Sequence, residues 1–259
     1  MLSRLGKAWR LIATAIAFAS FGLGGVLLQI VGVPLLYVLI PWRERRQKVA
    51  RHLVHRVFQI YVQFMAVMGI YRYRVENPER LRRPGLVIVA NHPTLLDVVF
   101  LLSLVPDATC IVRAGLAGNP FTRAAVRSAG YVCNDWGVEL VEACVQALQR
   151  GSSLIVFPEG TRTNPLRPQK WHRGAANVAL RANAPLTPVW ISCQPPSLRK
   201  GEPWWHIPPR RMQYQFRVLD DLTLAGKLSG AEGSVQAARS LTDRMKRLLM
   251  AGVEQNAGA

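Results

Sequence analysis

Acidic residues are scarce in this chain, which has 15 Asp and Glu against 33 Lys and Arg and therefore a formal net charge of +18. Charged residues nevertheless make up only 19% of the 259 positions, while 50% are hydrophobic. A nucleic-acid binder with this net charge would ordinarily be more polar and contain a recognisable module. The combination instead fits an anionic membrane surface or a substrate that carries phosphate.

Cysteine is also rare, with four in the chain and none paired as C-x-x-C. No histidine lies at zinc-ligand spacing from them, so we expect neither a metal site nor a disulfide. Three of them fall in apolar runs, which is typical of reduced, buried thiols in the cytosol. The chain also lacks a Gly-x-x-x-x-Gly-Lys loop and a Gly-x-Gly-x-x-Gly turn after a strand, and nothing suggests a nucleotide cofactor.

The N-terminal region contains no charged residue from Leu11 to Trp42. This run exceeds the roughly 20 apolar residues that span a bilayer, and it is too long for the core of a signal peptide. Basic residues flank both of its ends, which predicts that both ends stay on the cytoplasmic side. Gly22, Gly24 and Gly25 near the middle, with Gly32 and Pro34 later, favour a bent anchor embedded in one leaflet over a single straight span.

The next stretch, Arg43–Ile70, is predicted to be a helix with a basic first half and an apolar, aromatic second half. Such a helix fits the membrane interface, although an ordinary core helix with a basic exposed end fits the pattern too. We therefore predict an N-terminal membrane-anchoring helical region over residues 1–76. An α/β domain is predicted over residues 77–259.

Short apolar strands alternate with helices in the remainder of the chain. This order predicts an α/β fold with a mostly parallel or mixed sheet flanked by helices. The predicted strands are Leu86–Ala90, Thr109–Arg113, Tyr131–Asn134, Leu154–Phe157, Leu186–Ser192 and, at an edge, Met212–Leu219. The predicted helices are Leu95–Val105, Phe121–Ser128, Val138–Gln149, Gly174–Ala182 and Glu232–Met250.

Polar residues follow the first of these strands, in the sequence Asn-His-Pro-Thr-Leu-Leu-Asp over residues 91–97. His92 is thereby placed at the carboxyl end of a strand, where open α/β sheets bind their ligands. Asp97 is close enough in sequence to hold the imidazole, and a histidine held by a carboxylate is a general base. Thr94 is predicted to cap the following helix. Thr94 and Asp97 also resemble a capping box, in which the acid serves only the helix N-terminus.

A second polar group, Glu159-Gly160-Thr161-Arg162, follows a later strand. If both strands belong to one parallel sheet, the two groups open on the same edge. Gly160 would let a ligand approach the backbone and offer an N–H group to an oxyanion. Arg162 provides a planar fork suited to phosphate. Glu159 would bind an acceptor hydroxyl or hold Arg162, and a purely structural ion pair is the alternative.

Together, residues 91–97 and Phe157-Pro-Glu-Gly-Thr-Arg162 resemble two motifs of the glycerolipid acyltransferase family, and Leu186–Trp190 is similar to a third. The resemblance implies a membrane-associated enzyme that moves a fatty acyl group to the hydroxyl of a lysophospholipid such as 1-acyl-glycerol-3-phosphate. His92 would be the general base and Asp97 its partner, without a metal or other cofactor. The acyl donor would be a thioester of acyl carrier protein or coenzyme A. Membrane lipids would be the other partners, and nucleic acid would not.

The resemblance also implies a location at the cytoplasmic membrane, with the catalytic domain on its cytoplasmic face. Residues of the second polar group, together with Arg113 and Arg123, would bind substrate.

One family motif differs in this chain. The family usually has an arginine that helps bind the acceptor phosphate, whereas Asn134-Asp135 stands at that place. Arg113, Arg123 or Arg127 would then supply the missing cation. Alternatively, the acceptor lacks a phosphomonoester, as a lyso-ornithine lipid or a specialised polyene-type lipid does. A thioester hydrolase and a non-catalytic membrane or nucleic-acid binder are the remaining classes.

Overall fold

Seven strands in the described part of the chain form one sheet. The structure is a computed structural model that describes residues 2–112, 115, 118–134, 139–163, 170–222 and 231–257. The strands are β1 Tyr71–Glu76, β2 Val87–Ala90, β3 Ala108–Val112, β4 Val132–Cys133, β5 Ser153–Val156, β6 Leu186–Gln194 and β7 Met212–Val218. Their order is β1-β7-β6-β2-β5-β3-β4, and every neighbouring pair is parallel except β6 and β7. The predicted α/β fold with a mixed sheet is confirmed.

Helices cover both faces of this sheet. They are α1 Leu2–Leu27, α2 Val33–Leu39, α3 Arg43–Val67, α4 Asp97–Leu104, α5 Arg123–Ala129, α6 Glu139–Gln149, α7 Gly174–Ala182 and α8 Ala231–Ala257. A π-helical turn over Leu28–Gly32 joins α1 to α2, and a short 3-10 helix spans Pro78–Arg82. One face packs against α3, α4 and α5, and the other packs against α6, α7 and α8.

Strand β2 lies at the centre of the sheet, between β5 and β6, and is parallel to both. Ile88 and Ala90 pack into the hydrophobic cluster on one face, while Val87 and Val89 pack into the cluster on the other. A strand buried on both faces has a continuous apolar sequence rather than an alternating one. Because the three neighbours are parallel, the chain leaves all of them at the same edge of the sheet.

The N-terminal helices form a hairpin. The Trp9 indole donates a hydrogen bond to the Met68 carbonyl, and the Tyr61 hydroxyl donates one to the Ala17 carbonyl. These contacts pair the start of α1 with the end of α3, so the two helices are antiparallel. Leu5–Leu39 is the one helical stretch among the described residues that is long and apolar enough to cross a membrane.

The chain does not break at Gly22, Gly24 or Gly25, because α1 continues through these glycines to Leu27. The α-helix is interrupted later, by the π-helical turn Leu28–Gly32 just before Pro34. Gly25 permits a close approach of the chain that precedes α5. A Cβ atom at Gly25 would lie 2.2 Å from the carbonyl oxygen of Phe121, and one at Gly22 would contact the Phe121 ring at 3.8 Å. This contact with the backbone of Phe121 explains why residue 25 has no side chain.

The edge position predicted for β7 is also wrong, since β7 lies between β1 and β6. Residues Tyr71–Glu76, which the predicted boundary at residue 77 assigned to the anchoring region, pair with it in parallel. Along β7 the side chains alternate between buried and exposed. The alternation shows that one face of the sheet is exposed to solvent at β7. An edge strand gives the same alternating pattern, so the sequence could not separate the two cases.

Candidate active site

Asn91 fixes the chain at the point where it leaves β2. Its side-chain amide donates to the Ile191 carbonyl, and its Oδ1 atom accepts from the Ile191 N–H, both at 2.7 Å. Because Ile191 lies on β6, this side chain continues the pairing of β2 and β6 past the last residue of β2. His92 is therefore held at the carboxyl edge of the sheet.

The structure brings His92 and Asp97 into direct contact, with 2.8 Å between Nδ1 and Oδ2. The Asp97 side chain is fully buried, whereas 15% of the His92 side chain is exposed. The Phe157 ring stacks on the imidazole with 4.2 Å between ring centroids. Since an ionised carboxylate only accepts, the bond assigns the ring proton to Nδ1 and leaves the lone pair of Nε2 for a substrate.

Asp97 also serves the turn before α4. Its Oδ2 atom accepts from the Thr94 N–H at 2.7 Å, and its Oδ1 atom accepts from the Thr94 hydroxyl at 2.6 Å. The first of these resembles the backbone contact of a capping box, but it closes the turn that precedes α4 and coexists with the contact to His92. Helix α4 itself begins at Asp97 with Leu96 as its N-cap, and the predicted cap at Thr94 is wrong. The Thr94 hydroxyl is directed to the carboxylate instead.

Glu159 ties the second motif to the first through backbone groups. Its Oε1 atom accepts from the His92 N–H at 3.1 Å and from the Thr163 hydroxyl at 2.8 Å, while the Thr163 N–H donates to the His92 carbonyl. Only 4% of Glu159 is exposed, and within the described residues its Oε2 atom has no hydrogen-bond partner. Burial raises the pKa of this carboxyl, and the bonds from Thr163 and His92 partly offset the rise. These contacts orient His92.

Gly160 adopts a φ of +63°, in the left-handed region that favours glycine. A Cβ atom there would lie 3.3 Å from the ring of His172, which the sequence motifs did not single out. The Gly160 N–H donates to the Phe157 carbonyl at 3.0 Å, so this group closes a turn rather than pointing at an oxyanion. The adjacent Thr161 is half-buried.

Arg162 contacts a loop that sequence reasoning missed. Its Nη1 atom donates to the carbonyls of Leu198 and Arg199, at 2.9 and 3.0 Å. The Leu198 carbonyl also accepts from the Leu95 N–H, so the loop after β6 touches both motifs. The sequence gives no sign of this contact. Leu198 and Arg199 lie in the loop after β6, where the residues follow no helix or strand periodicity.

Two other cations proposed from the sequence, Arg123 and Arg127, fall within the described residues and do not contact the two motifs. Arg123 donates to Gln29 in the π-helical turn at 2.7 Å, and Arg127 is exposed on α5. Arg113 and Asp135 lie outside the described residues. The structure thus brings together His92, Asp97 and the second motif, and it places Arg123 against the N-terminal helices.

Metal-binding side chains do not cluster in the described part of the chain, where no group of three His, Cys, Asp or Glu side chains could hold an ion. All four cysteines are free thiols, and three of them are buried. Burial raises the pKa of Cys110, Cys144 and Cys193 to about 12 in each case. These three thiols therefore stay protonated near neutral pH and are poor nucleophiles.

Comparison with known proteins gives a consistent result. A family model described as acyltransferase matches residues 72–192. The chloroplastic 1-acyl-sn-glycerol-3-phosphate acyltransferase of Arabidopsis thaliana is 26% identical over 173 residues, covering 64% of this chain and 46% of that protein. The 1-acyl-sn-glycerol-3-phosphate acyltransferase of Saccharomyces cerevisiae is 27% identical over 199 residues, covering 71% and 59%. The chain spans about half the length of the first curated relatives it matches.

A solved structure shares the fold over nearly the whole chain. The 1-acyl-sn-glycerophosphate (LPA) acyltransferase PlsC of Thermotoga maritima superposes with a TM-score of 0.73, covers 98% of both chains and is 21% identical. The shared fold therefore extends beyond residues 72–192 and includes the N-terminal helices.

Proposed function

We propose that this chain, which belongs to the glycerolipid acyltransferase family, transfers a fatty acyl group from an acyl thioester to the hydroxyl of a lysophospholipid such as 1-acyl-glycerol-3-phosphate. The observation that carries the proposal is the hydrogen bond between His92 and Asp97 at the carboxyl edge of the sheet. The second motif supports it, because its backbone and side chains hold residue 92 in place.

In the proposed reaction, His92 Nε2 takes the proton of the acceptor hydroxyl as its oxygen attacks the thioester carbonyl. A new C–O bond forms, and the C–S bond then breaks. The imidazolium returns the proton to the departing sulfur, so the thiol of the carrier is released and His92 is regenerated. Asp97 holds the ring and balances its positive charge while it carries the extra proton.

The direct transfer needs no covalent enzyme intermediate. The buried Cys193 on β6 is not a suitable nucleophile, because burial raises the pKa of its thiol to about 12. The acyl group therefore passes in one attack from donor to acceptor. The alternative of a thioester hydrolase uses the same residues with water in place of the lipid hydroxyl.

The assay that tests this function uses purified protein in lipid vesicles with acyl carrier protein or coenzyme A thioesters. Acceptors with and without a phosphomonoester, 1-acyl-glycerol-3-phosphate and a lyso-ornithine lipid, are compared. Phosphatidic acid is the expected product. Acylation of the lyso-ornithine lipid alone would favour the second acceptor class, for which Asp135 in place of an arginine is the motivating observation. Thioester cleavage without any acceptor would support the hydrolase.

Arg162 is proposed to bind the acceptor phosphate. We expect Arg162→Ala to raise the Michaelis constant for 1-acyl-glycerol-3-phosphate by about tenfold or more, since a charge-assisted hydrogen bond is lost, while kcat changes less. Steady-state kinetics with the acceptor varied measures this. Arg181→Ala, which removes an exposed arginine of α7, is the matched control. If kcat and thermal stability fell while the Michaelis constant stayed unchanged, Arg162 would serve only to hold the loop at Leu198 and would not bind the acceptor.

We further propose that the N-terminal hairpin attaches the protein to the cytoplasmic face of a membrane. Exposed apolar side chains recur at steps of three, four or seven residues along α1 and the following turn, at Leu5, Trp9, Ile12, Ile16, Leu23, Leu27 and Ile30. Basic residues flank the apolar run at Lys7 and Arg10 and again from Arg43 onward. Such a stripe suits burial in one leaflet, and the flanking charges suit anionic headgroups.

Two charges in this stripe should release the protein from membranes. We expect Ile12→Asp combined with Ile16→Asp to lower the fraction bound to phosphatidylglycerol vesicles by about tenfold or more, because apolar burial is replaced by charge desolvation. Cosedimentation measures the bound fraction. Val235→Asp with Leu248→Asp makes the same change at exposed apolar positions of α8 and should leave binding intact. Unchanged binding of the α1 variant would contradict the attachment.

A further inference from the structure

A chain of hydrogen bonds extends from the His92–Asp97 pair into the core. The Tyr214 hydroxyl on β7 donates to Thr94 Oγ1 at 3.0 Å, and the Thr94 hydroxyl donates to Asp97 Oδ1 at 2.6 Å. The opposite carboxylate oxygen contacts His92 Nδ1 at 2.8 Å. Tyr214 is 1% exposed and lies beyond residues 72–192, the segment that matches the family model.

We infer that Tyr214 is a positioning residue for acyl transfer, which fixes the Thr94 hydroxyl so that this hydroxyl in turn orients the Asp97 carboxylate towards His92. The inference rests on the proposed function for its kinetic consequence. It adds to the two sequence motifs a residue from β7, which is two strands away from β2 in the sheet. Tyr214 does not touch substrate in this scheme and acts only through Thr94.

The directions of these bonds follow from the donors and acceptors available. The Thr94 hydroxyl has one proton, and the buried Asp97 carboxylate takes it. The lone pairs of Thr94 Oγ1 then accept from the Leu96 N–H at 3.2 Å and from the Tyr214 hydroxyl. Thr94 Oγ1 thus has one acceptor, Asp97, and two donors, Leu96 and Tyr214. Without the Tyr214 hydroxyl, Thr94 Oγ1 keeps the bond from the Leu96 N–H but loses the shorter of the two bonds that oppose its rotation away from Asp97.

Tyr214 keeps its proton over the working range of an enzyme. Burial raises the pKa of its hydroxyl well above the usual value. The titratable groups that face it or Asp97 from neighbouring elements are His92, the Glu159 carboxyl and the Cys193 thiol on β6. The Cys193 thiol also contacts the Tyr214 hydroxyl and donates to the Pro195 carbonyl at 3.6 Å. The Cys193→Ala variant separates the contribution of this thiol to kcat from that of the Tyr214 hydroxyl.

Packing alone does not require the hydroxyl of Tyr214. Its ring lies in an aromatic cluster, 4.9 Å from Phe100 and 5.4 Å from Tyr71 between centroids, and a phenylalanine would fill the same space. Tyr71 offers an internal comparison, because it is equally buried in the same cluster. Its hydroxyl donates to the Val62 carbonyl on α3 at 2.9 Å and leads away from Asp97.

The test compares Tyr214→Phe with Tyr71→Phe in the full chain. Both variants lose one buried hydroxyl and its hydrogen bond to an oxygen acceptor, and Tyr214→Phe also loses the contact with Cys193, so decreases in melting temperature of comparable size are expected. Tyr214→Phe should lower kcat by about threefold to tenfold, with both Michaelis constants changed less than about twofold. It should also shift the acidic limb of the pH profile of kcat. Tyr71→Phe should change neither, and Cys193→Ala, which keeps the bond to Thr94, should retain kcat.

A double-mutant cycle tests the route through Thr94. Thr94→Val should lower kcat at least as much as Tyr214→Phe, and adding Tyr214→Phe to it should have no further effect. Additive effects, or equal kinetics of the two Tyr→Phe variants, would overturn the positioning role.

A readout that needs no turnover separates this inference from the proposed function. The His92 Nδ1–H resonance of the labelled protein should move in Tyr214→Phe and stay in place in Tyr71→Phe. If the wild-type protein showed no acyl transfer, the proposed function would be wrong. The His92 resonance would still test whether Tyr214 positions Asp97 and His92 through Thr94. A resonance unaffected by Tyr214→Phe would overturn the contact itself.

Discussion

Replacing His92 with alanine should lower kcat for acyl transfer by about 10²- to 10⁴-fold, the range that a positioned general base contributes. A lipid hydroxyl is a weak nucleophile at neutral pH, and Nε2 of His92 is the group placed to take its proton. Membrane binding and both Michaelis constants should change little, because the imidazole acts on the reacting proton rather than on the lipid chains. Single-turnover and steady-state assays of product formation measure the effect.

The fold should survive this change for a specific reason. The bonds that tie residue 92 to the second motif involve its backbone N–H and carbonyl, so alanine keeps them. His52→Ala, which removes an exposed imidazole from α3, is the matched control and should leave kcat unchanged. Near-normal transfer by a well-folded His92→Ala protein would exclude the base mechanism.

The sheet was predictable where strands are buried on both faces. Val87–Ala90 and Ser153–Val156 have continuous apolar sequences, and no helix of that length fits between their flanking turns. β1 was missed because its residues, Tyr-Arg-Tyr-Arg-Val-Glu, include three charged side chains. Its stability comes from pairing with β7, which is about 140 residues away in sequence. Such a partner cannot be inferred from a local pattern.

The N-terminal glycines show how a local rule is overridden by packing. Gly25 has the low helix propensity that motivated the predicted bend. In the structure the backbone of Phe121 packs directly against it, and α1 continues through this position to Leu27. The sequence of the helix contains no information about which distant residue will approach it.

The central contact of the site was predictable, but most of its supporting contacts were not. His92 and Asp97 are five positions apart, so their contact follows from one strand end and one turn. Glu159 was expected to face the acceptor or Arg162, whereas it accepts hydrogen bonds from His92 and Thr163. Tyr214 reaches Thr94 across 120 positions. Such bonds depend on strand order, which no spacing in the motifs reveals.

The second large effect is expected for Asp97→Asn, which should also lower kcat by about 10²- to 10⁴-fold. The neutral amide cannot balance the imidazolium that forms when His92 takes the acceptor proton. If its oxygen faces His92 and the Thr94 N–H, its NH₂ group faces Thr94 Oγ1. That oxygen already accepts from Leu96 and Tyr214. If the amide is flipped, its NH₂ group faces two other donors, the Thr94 N–H and the His92 Nδ1–H. The tautomer of the His92 ring is then no longer fixed.

The matched control for this variant is Asp107→Asn, which neutralises another largely buried carboxylate, the partner of Arg51 on α3. Both variants should lower the melting temperature, because each leaves buried donors without their charged acceptor. Only Asp97→Asn should lower kcat, and rescue by Asp97→Glu should be incomplete because the longer side chain displaces the carboxylate from Thr94. Since both variants neutralise a carboxylate that is largely shielded from solvent, a similar fall in kcat for both would mean that global destabilisation, rather than the His92 contact, limits acyl transfer.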